Sequence, residues 1–139
     1  MTVSVASTTI LSACGGSDSP ASNNSASGAP ASGPMSFAQG VASGDPQPDS
    51  VVLWTRVTGG DGINPVNVGL QVSTTADFTS LVLNTTVAAS PDWDYTLRHQ
   101  VTGLSANTTY FYRFSAGGVT SMAGRTWTLP AAGQSLSQL

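Results

Sequence analysis

The chain has 139 residues and a formal net charge of −3, from seven Asp and four Arg with neither Glu nor Lys. That length has room for one domain, and the lack of a basic stripe excludes electrostatic binding of a nucleic-acid backbone. Only 8% of the residues are charged, against about 25% in an ordinary soluble domain, so 20 Ser and 17 Thr carry the chain's polarity. With few strong helix formers and many Val and Thr, the composition favours strands. A single cysteine, Cys14, rules out an internal disulfide and any Cys-rich zinc site.

The first segment, residues 1–14, is an uncharged, mildly apolar run ending in Leu11-Ser12-Ala13-Cys14-Gly15. A Leu followed by two small residues and a Cys is the pattern of a bacterial lipobox, where the thiol takes a diacylglycerol. Cys14 is therefore expected to be lipidated, and to be the only route by which the chain meets a membrane. A secretory signal also needs a basic stretch and an apolar core of about 7–15 residues. No Lys or Arg precedes Cys14, so the natural start is expected to lie upstream of Met1. Residues 15–35 are almost entirely Ser, Ala, Gly, Asn and Pro, a composition that makes a tether and cannot bury a core.

From residue 36 to 130 the pattern alternates with period two and is broken by turn residues every 8–12 positions or so. Phe37 to Ser43 is the first expected strand, ended by Gly44-Asp45-Pro46, and Ser50 to Val57 the second. After a Gly-rich loop over Thr58 to Pro65, Val66, Val68, Leu70 and Val72 alternate with Asn67, Gly69 and Gln71, the mark of a half-buried strand. Leu81 to Val87, Tyr95 to Val101, Thr109 to Ala116 and Met122 to Leu129 complete the set, and no stretch has helical periodicity. About 95 residues in seven short strands predict an all-β fold, a fibronectin type III or immunoglobulin-like antiparallel sandwich. Residues 131–139 read as a polar linker.

Leu104 and Tyr110 have the spacing of a tyrosine corner, in which a Tyr hydroxyl bonds back to upstream backbone in such sandwiches. Both are predicted to be structural. The four consecutive apolar residues Val51-Val52-Leu53-Trp54 break the alternation expected of a strand with one solvated face. This predicts a second covered face, with Val51 and Leu53, extended by Trp127 and Leu129, forming an interface with another domain.

The run Phe37-Ala38-Gln39-Gly40-Val41-Ala42-Ser43-Gly44-Asp45-Pro46, followed by Ser50-Val51-Val52-Leu53-Trp54-Thr55-Arg56, closely resembles the opening of the N-terminal domain of PhoD-type alkaline phosphatases, also classed as phospholipase D-like. Tyr110-Phe111-Tyr112-Arg113-Phe114 and Gly124-Arg125-Thr126 resemble later strands of that family. The resemblance implies an accessory domain of an exported phosphomonoesterase or phosphodiesterase, ahead of a C-terminal metallophosphatase domain that is the domain's own partner. It further implies iron and calcium in that catalytic domain and none here, because the chain ends about where the ligand motifs begin. The family's twin-arginine export signal has no counterpart before Cys14.

The chain's own residues do not assemble a phosphatase centre, which needs clustered ligands for two metals about 3.5–4 Å apart. His99, the single His, is in phase with Leu97 and Val101 and reads as a packed sheet residue. Asp92 and Asp94 flank Trp93 in a loop, and Asp45 and Asp49 read as turn formers, since calcium wants about 6–8 oxygens. The sequons at Asn23, Asn84 and Asn107 occur at the frequency chance gives. No catalytic, cofactor-binding or metal residue is therefore expected. A rival reading is a free fibronectin-type module on a lipid-anchored tether, recognising a surface glycan or protein through exposed Trp93 and Tyr95.

Overall fold

The computed structural model describes residues 33–134; Cys14 and most of the expected tether lie outside them. Eight strands form, in the order β1 (Val41–Gly44), β2 (Ser50–Arg56), β3 (Val66–Ser73), β4 (Leu81–Ala89), β5 (Thr96–Thr102), β6 (Thr109–Ala116), β7 (Val119–Thr120) and β8 (Gly124–Trp127). One turn of 3₁₀-helix over Pro91–Trp93 joins β4 to β5. The strands make two antiparallel sheets, β1-β2-β5 and β4-β3-β6-β7, with β8 also pairing with β6. This is the expected all-β, fibronectin type III-like sandwich.

Alternation decides which side chains meet between the sheets. On β3, Val66, Val68, Leu70 and Val72 are buried while Asn67 is exposed. β6 offers Tyr110, Tyr112, Phe114 and Ala116 to the same core, and β5 offers Leu97 and Val101. Tyr112 and Phe114 meet edge to face, with ring centroids 6.1 Å apart, the arrangement that ring quadrupoles favour. Gly124 on β8 is required by this packing. A Cβ there would stand 2.3 Å from Cζ of Tyr112, so the ring occupies the room that any other residue would need.

The structure corrects the reading of β2. Val51 and Leu53 are 1% and 0% exposed and belong to the domain's own core, so they form no outward interface. The strand does alternate, with Val51, Leu53 and Thr55 inward and Val52, Trp54 and Arg56 half-buried on the outer face. Its letters look continuous because the outer positions also carry Val and Trp. Trp54 lies opposite Ala42 on one side and Arg98 on the other, neighbours close enough to shield part of a large ring.

Strand boundaries moved where backbone sign changes. The first strand begins at Val41 because Phe37 to Gly40 is a turn, closed by the Gly40 N–H to Phe37 carbonyl bond of 2.9 Å with Gly40 at φ 73°. β5 begins one residue after Tyr95, whose φ of 55° is left-handed. The expected last strand forms as the shorter β8, and a strand not expected, β7, precedes it. Gly117-Gly118, both at positive φ, make the tight hairpin turn that folds Val119–Thr120 back onto Ala116 and Ser115.

At one pole of the sandwich, the loop between β5 and β6 is held by the side chains of Tyr110 and Thr128 and by backbone from the loop before β2. The Tyr110 hydroxyl accepts the Ser105 N–H at 2.8 Å, which is the geometry of a tyrosine corner. Fully buried Thr128 donates its hydroxyl to the Ser105 carbonyl at 2.6 Å and accepts the Thr108 N–H at 3.0 Å. Leu104 is buried beneath them, and its N–H bonds the Asp49 carbonyl at 2.9 Å. Removing the Tyr110 hydroxyl alone should therefore cost about 1 kcal/mol, and removing the ring as well about 3–5 kcal/mol. We expect Tyr110→Phe to lower the thermal midpoint measurably and Tyr110→Ala to unfold the domain or nearly so. A wild-type midpoint for Tyr110→Ala would show that the ring is not where the core needs it.

Candidate functional site

The carboxylates and the imidazole are dispersed, each with a local task. His99 sits half-buried on β5, opposite Leu53 of β2. Asp94 caps the 3₁₀ turn in the left-handed region, and its carboxylate pairs with Arg56 Nη2 at 2.9 Å while its carbonyl accepts Arg56 Nε at 3.1 Å. Asp92 uses its N–H, donated to Ser90 Oγ at 3.1 Å. Asp45 accepts the Gln47 amide at 3.1 Å, and Asp49 contributes its carbonyl to Leu104. Among the described residues there is no group of three or more His, Cys, Asp or Glu that could hold a metal ion. The donor set of this segment therefore does not fit an iron and calcium centre.

What the fold does assemble are two apolar surfaces. β8 turns Thr126 and Thr128 inward, so its other row points out: Trp127 is 40% exposed and Leu129 37%. Trp127 pairs with Thr109 and Arg125 with Phe111, which places half-buried Phe111 diagonal to Trp127 on the outer face of the larger sheet. Next to Phe111 in the strand direction, Arg113 stacks over Phe78 with 4.1 Å from guanidinium carbon to ring centroid and donates to Gln71 Oε1 at 2.8 Å. Leu129 is held by backbone bonds to Gln47 and Asn107, of 3.1 and 2.9 Å. The exit of the chain from the sandwich is thereby fixed in direction. Of the residues expected to make an outward interface, Trp127 and Leu129 lie on this face; Val51 and Leu53 do not.

The second surface is at the opposite pole. Trp93 stands 74% exposed on the 3₁₀ turn. Tyr95, expected beside it as a contact residue, is instead buried, with its hydroxyl donated to the Asn64 carbonyl at 3.1 Å. The left-handed backbone at Asp94 and Tyr95 swings the second ring under the loop that the first one leaves. Nothing in the sequence pattern around Asp94 announces that reversal.

Comparison with known proteins identifies the segment. The sequence profile described as PhoD-like phosphatase, N-terminal domain, matches residues 21–130. The chain belongs to that family. It is 39% identical over 109 residues to alkaline phosphatase D of Bacillus subtilis (strain 168), covering 74% of this chain and 19% of that protein. The solved structure of PhoD superposes with a TM-score of 0.69 at 40% identity, over 72% of this chain and 20% of that one. The chain thus spans about a fifth of the length of these relatives. The sensor domain of the anti-sigma factor RsgI4 in Pseudobacteroides cellulosolvens shares the fold, with a TM-score of 0.54 at 14% identity, over 71% of this chain and 98% of that one.

The loop between β2 and β3 shows how these carboxylates work, and it offers a pH test. Asp61 accepts the Asn64 N–H at 2.7 Å, the Asn64 side-chain amide at 2.6 Å and the Ile63 N–H at 2.9 Å. These bonds, those from Asn64 first, favour the carboxylate and lower its pKa from 3.8 to about 2. A depressed folded-state pKa means that the contribution is intact above the unfolded value and is lost as pH falls through the folded one. We expect the Ile63 and Asn64 amide resonances to stay in place down to the ordinary carboxylate range and to titrate only near the lowered value. Titration at the model-compound value would mean that the Asx turn does not form.

Proposed function

We propose that this domain is the non-catalytic N-terminal accessory domain of an exported alkaline phosphatase or phosphodiesterase, and that it packs on the catalytic part through the face carrying Phe111, Trp127 and Leu129. The observation that carries the reading is the outward apolar row on β8 at the point where the chain leaves the sandwich. It sits in a segment 39% identical to alkaline phosphatase D that accounts for 19% of that relative. An apolar patch at a chain exit is the kind of surface that marks an interface. Under this reading the iron, the calcium and the phosphate ester are handled by the C-terminal part of the whole protein. Export and the lipid anchor at Cys14 belong to the same proposal, supported by the Leu11 to Gly15 pattern alone.

Two measurements test it. The chain, assayed with p-nitrophenyl phosphate and its diester in the presence of iron and calcium, is expected to release no nitrophenol. Metal-dependent release that survives repurification and disappears in His99→Ala would overturn the non-catalytic assignment. Sedimentation of the chain at micromolar concentration is expected to show self-association through the uncovered face, reduced by the pair Trp127→Ser/Leu129→Ser with little change in thermal midpoint. A wild type that stays monomeric and binds no hydrophobic dye would sink the docking face.

A further inference from the structure

The two sheets of the sandwich approach each other along two edges. On one side β1 approaches β8, and on the other β4 approaches β5. β4 and β5 are each the last strand of their sheet, so along this second edge their outward backbone groups have no neighbouring strand. Between them, capped by the 3₁₀ turn, opens a groove of about 400 Å³, within the range of small-ligand sites. Val87 and Leu97 give it an apolar floor, and Ser90, Thr96 and Arg98 bring polar groups to its walls. Trp93 stands at its rim.

The turn that carries Trp93 is fixed by three separate devices. Ser90 Oγ caps it by accepting the Asp92 N–H, Thr96 Oγ1 donates to the Trp93 carbonyl at 2.7 Å, and Arg56 clamps Asp94 beyond it. A three-residue turn held this firmly buries no residue of its own and delivers one large exposed ring. Of the groove-lining residues, Trp93 alone is both large, apolar and strongly exposed. That is far less apolar area than the core of a protein–protein interface requires. The charge is also nearly balanced. Asp94 is neutralised by Arg56, whereas Arg98 has no carboxylate partner among the described residues, and Asp92 lies beside Trp93 on the turn. One guanidinium and one carboxylate give no basic surface for a polyanion.

A ligand that suits an exposed indole face, a few dispersed donors and acceptors and almost no net charge is a pyranose. One face of its ring is a row of C–H bonds, and its rim is hydroxyls. We propose that the Trp93 groove is a saccharide-binding site, in which a pyranose ring stacks on the indole and its hydroxyls bond the Arg98 guanidinium, the Ser90 hydroxyl and the lone pairs of Thr96 Oγ1. The indole N–H and the unpaired edge backbone of β4 and β5 supply further partners, and an extended oligosaccharide runs along the groove between the two edge strands. This site is on the edge and pole opposite the Trp127 face, so it does not rest on the docking reading and stays open if that reading holds.

The test is a titration of the ¹⁵N-labelled 139-residue chain with cellohexaose and with chitohexaose. At least one is expected to shift the Trp93 indole resonance and amides of residues 87–98, with a dissociation constant in the millimolar range or tighter. Trp93→Ala should weaken that binding by about thirtyfold, the effect of removing an aromatic hot spot, with the thermal midpoint unchanged because the ring is exposed. Arg98→Ala should weaken it several-fold. No shift with either oligosaccharide at millimolar concentration, or shifts that persist in Trp93→Ala, overturns the assignment. Self-association of the wild type that Trp93→Ala abolishes would give the groove to a polypeptide and overturn it as well.

Discussion

The hydroxyl of Tyr110 and the hydroxyl of Thr128 converge on the backbone of one residue, the N–H and the carbonyl of Ser105. Much of the molecule depends on that convergence. Without it the loop after Leu104 loses two part-buried hydrogen bonds on either side of Ser105, each contributing about 1 kcal/mol. With it, β6 leaves the loop in a fixed direction, β8 is held against β6, and Leu129 is drawn into backbone bonds with Gln47 and Asn107. The two pole loops and the exit of the chain are tied to the same point. The docking proposed above would need such a fixed exit, since a free hinge there would leave the outward row on β8 without a defined partner.

How far the sequence predicted this depended on whether the information was local. β3 is written in its letters because Val66, Val68, Leu70 and Val72 all face one way and the intervening residues are polar or small. The corner was legible because Leu104 and Tyr110 belong to one loop-and-strand unit with a fixed spacing. β2 was misread for the opposite reason. Which face of Val51-Val52-Leu53-Trp54 turns inward is set by register with β1 and β5, a relation between distant segments that its own composition does not contain. Thr55 gives the phase away in retrospect: it is fully buried, with its hydroxyl donated to the Gly40 carbonyl at 2.9 Å, and it shares a face with Val51 and Leu53. Tyr95 was misplaced because two successive left-handed residues, neither of them Gly, reverse the chain before β5. The resemblance to PhoD-type phosphatases located the segment in its family, yet it could not say which of the four aromatic and aliphatic candidates points outward.

Most of the described acids work locally in turns, which bears on the composition. Asp61 closes the loop before β3, Asp77 accepts the Thr79 N–H and hydroxyl at 3.1 and 2.8 Å, Asp45 accepts from Gln47, and Asp94 ends the 3₁₀ turn. The Asp77 pKa is lowered by the Thr75 and Thr79 side chains and the Thr79 amide. Asp61 and Asp77 take backbone N–H groups two or three residues on, a task suited to the short Asp side chain and poorly suited to Glu. Ser and Thr do the same work without charge: Ser73 Oγ donates to the Ser80 carbonyl at 2.9 Å and accepts the Thr75 N–H at 3.1 Å. A chain that uses its acids as turn hardware has little need of Glu, and with few acids to balance it has little need of Lys.

The consequence reaches the surfaces. Strand proteins protect their free edges with charge, commonly Lys, or with Pro and bulges. Here β4 and β5 end their sheets with no Lys available anywhere in the chain, and the single Arg on that edge, Arg98, lies at the rim of the Trp93 groove. The outward row of β8 is likewise apolar except for Arg125. Protection by charge has therefore been replaced by something else at both edges. At the β8 face the docking proposed above would supply the cover, and at the β4–β5 edge it is the Pro91–Trp93 turn, whose proline removes a donor and whose rigid geometry obstructs the end of the groove. An edge blocked at one end and open along its length admits a narrow ligand more readily than a full strand. The same turn that keeps a sticky edge from pairing with another sheet thus also shapes the only groove on that side with an exposed aromatic ring among the described residues.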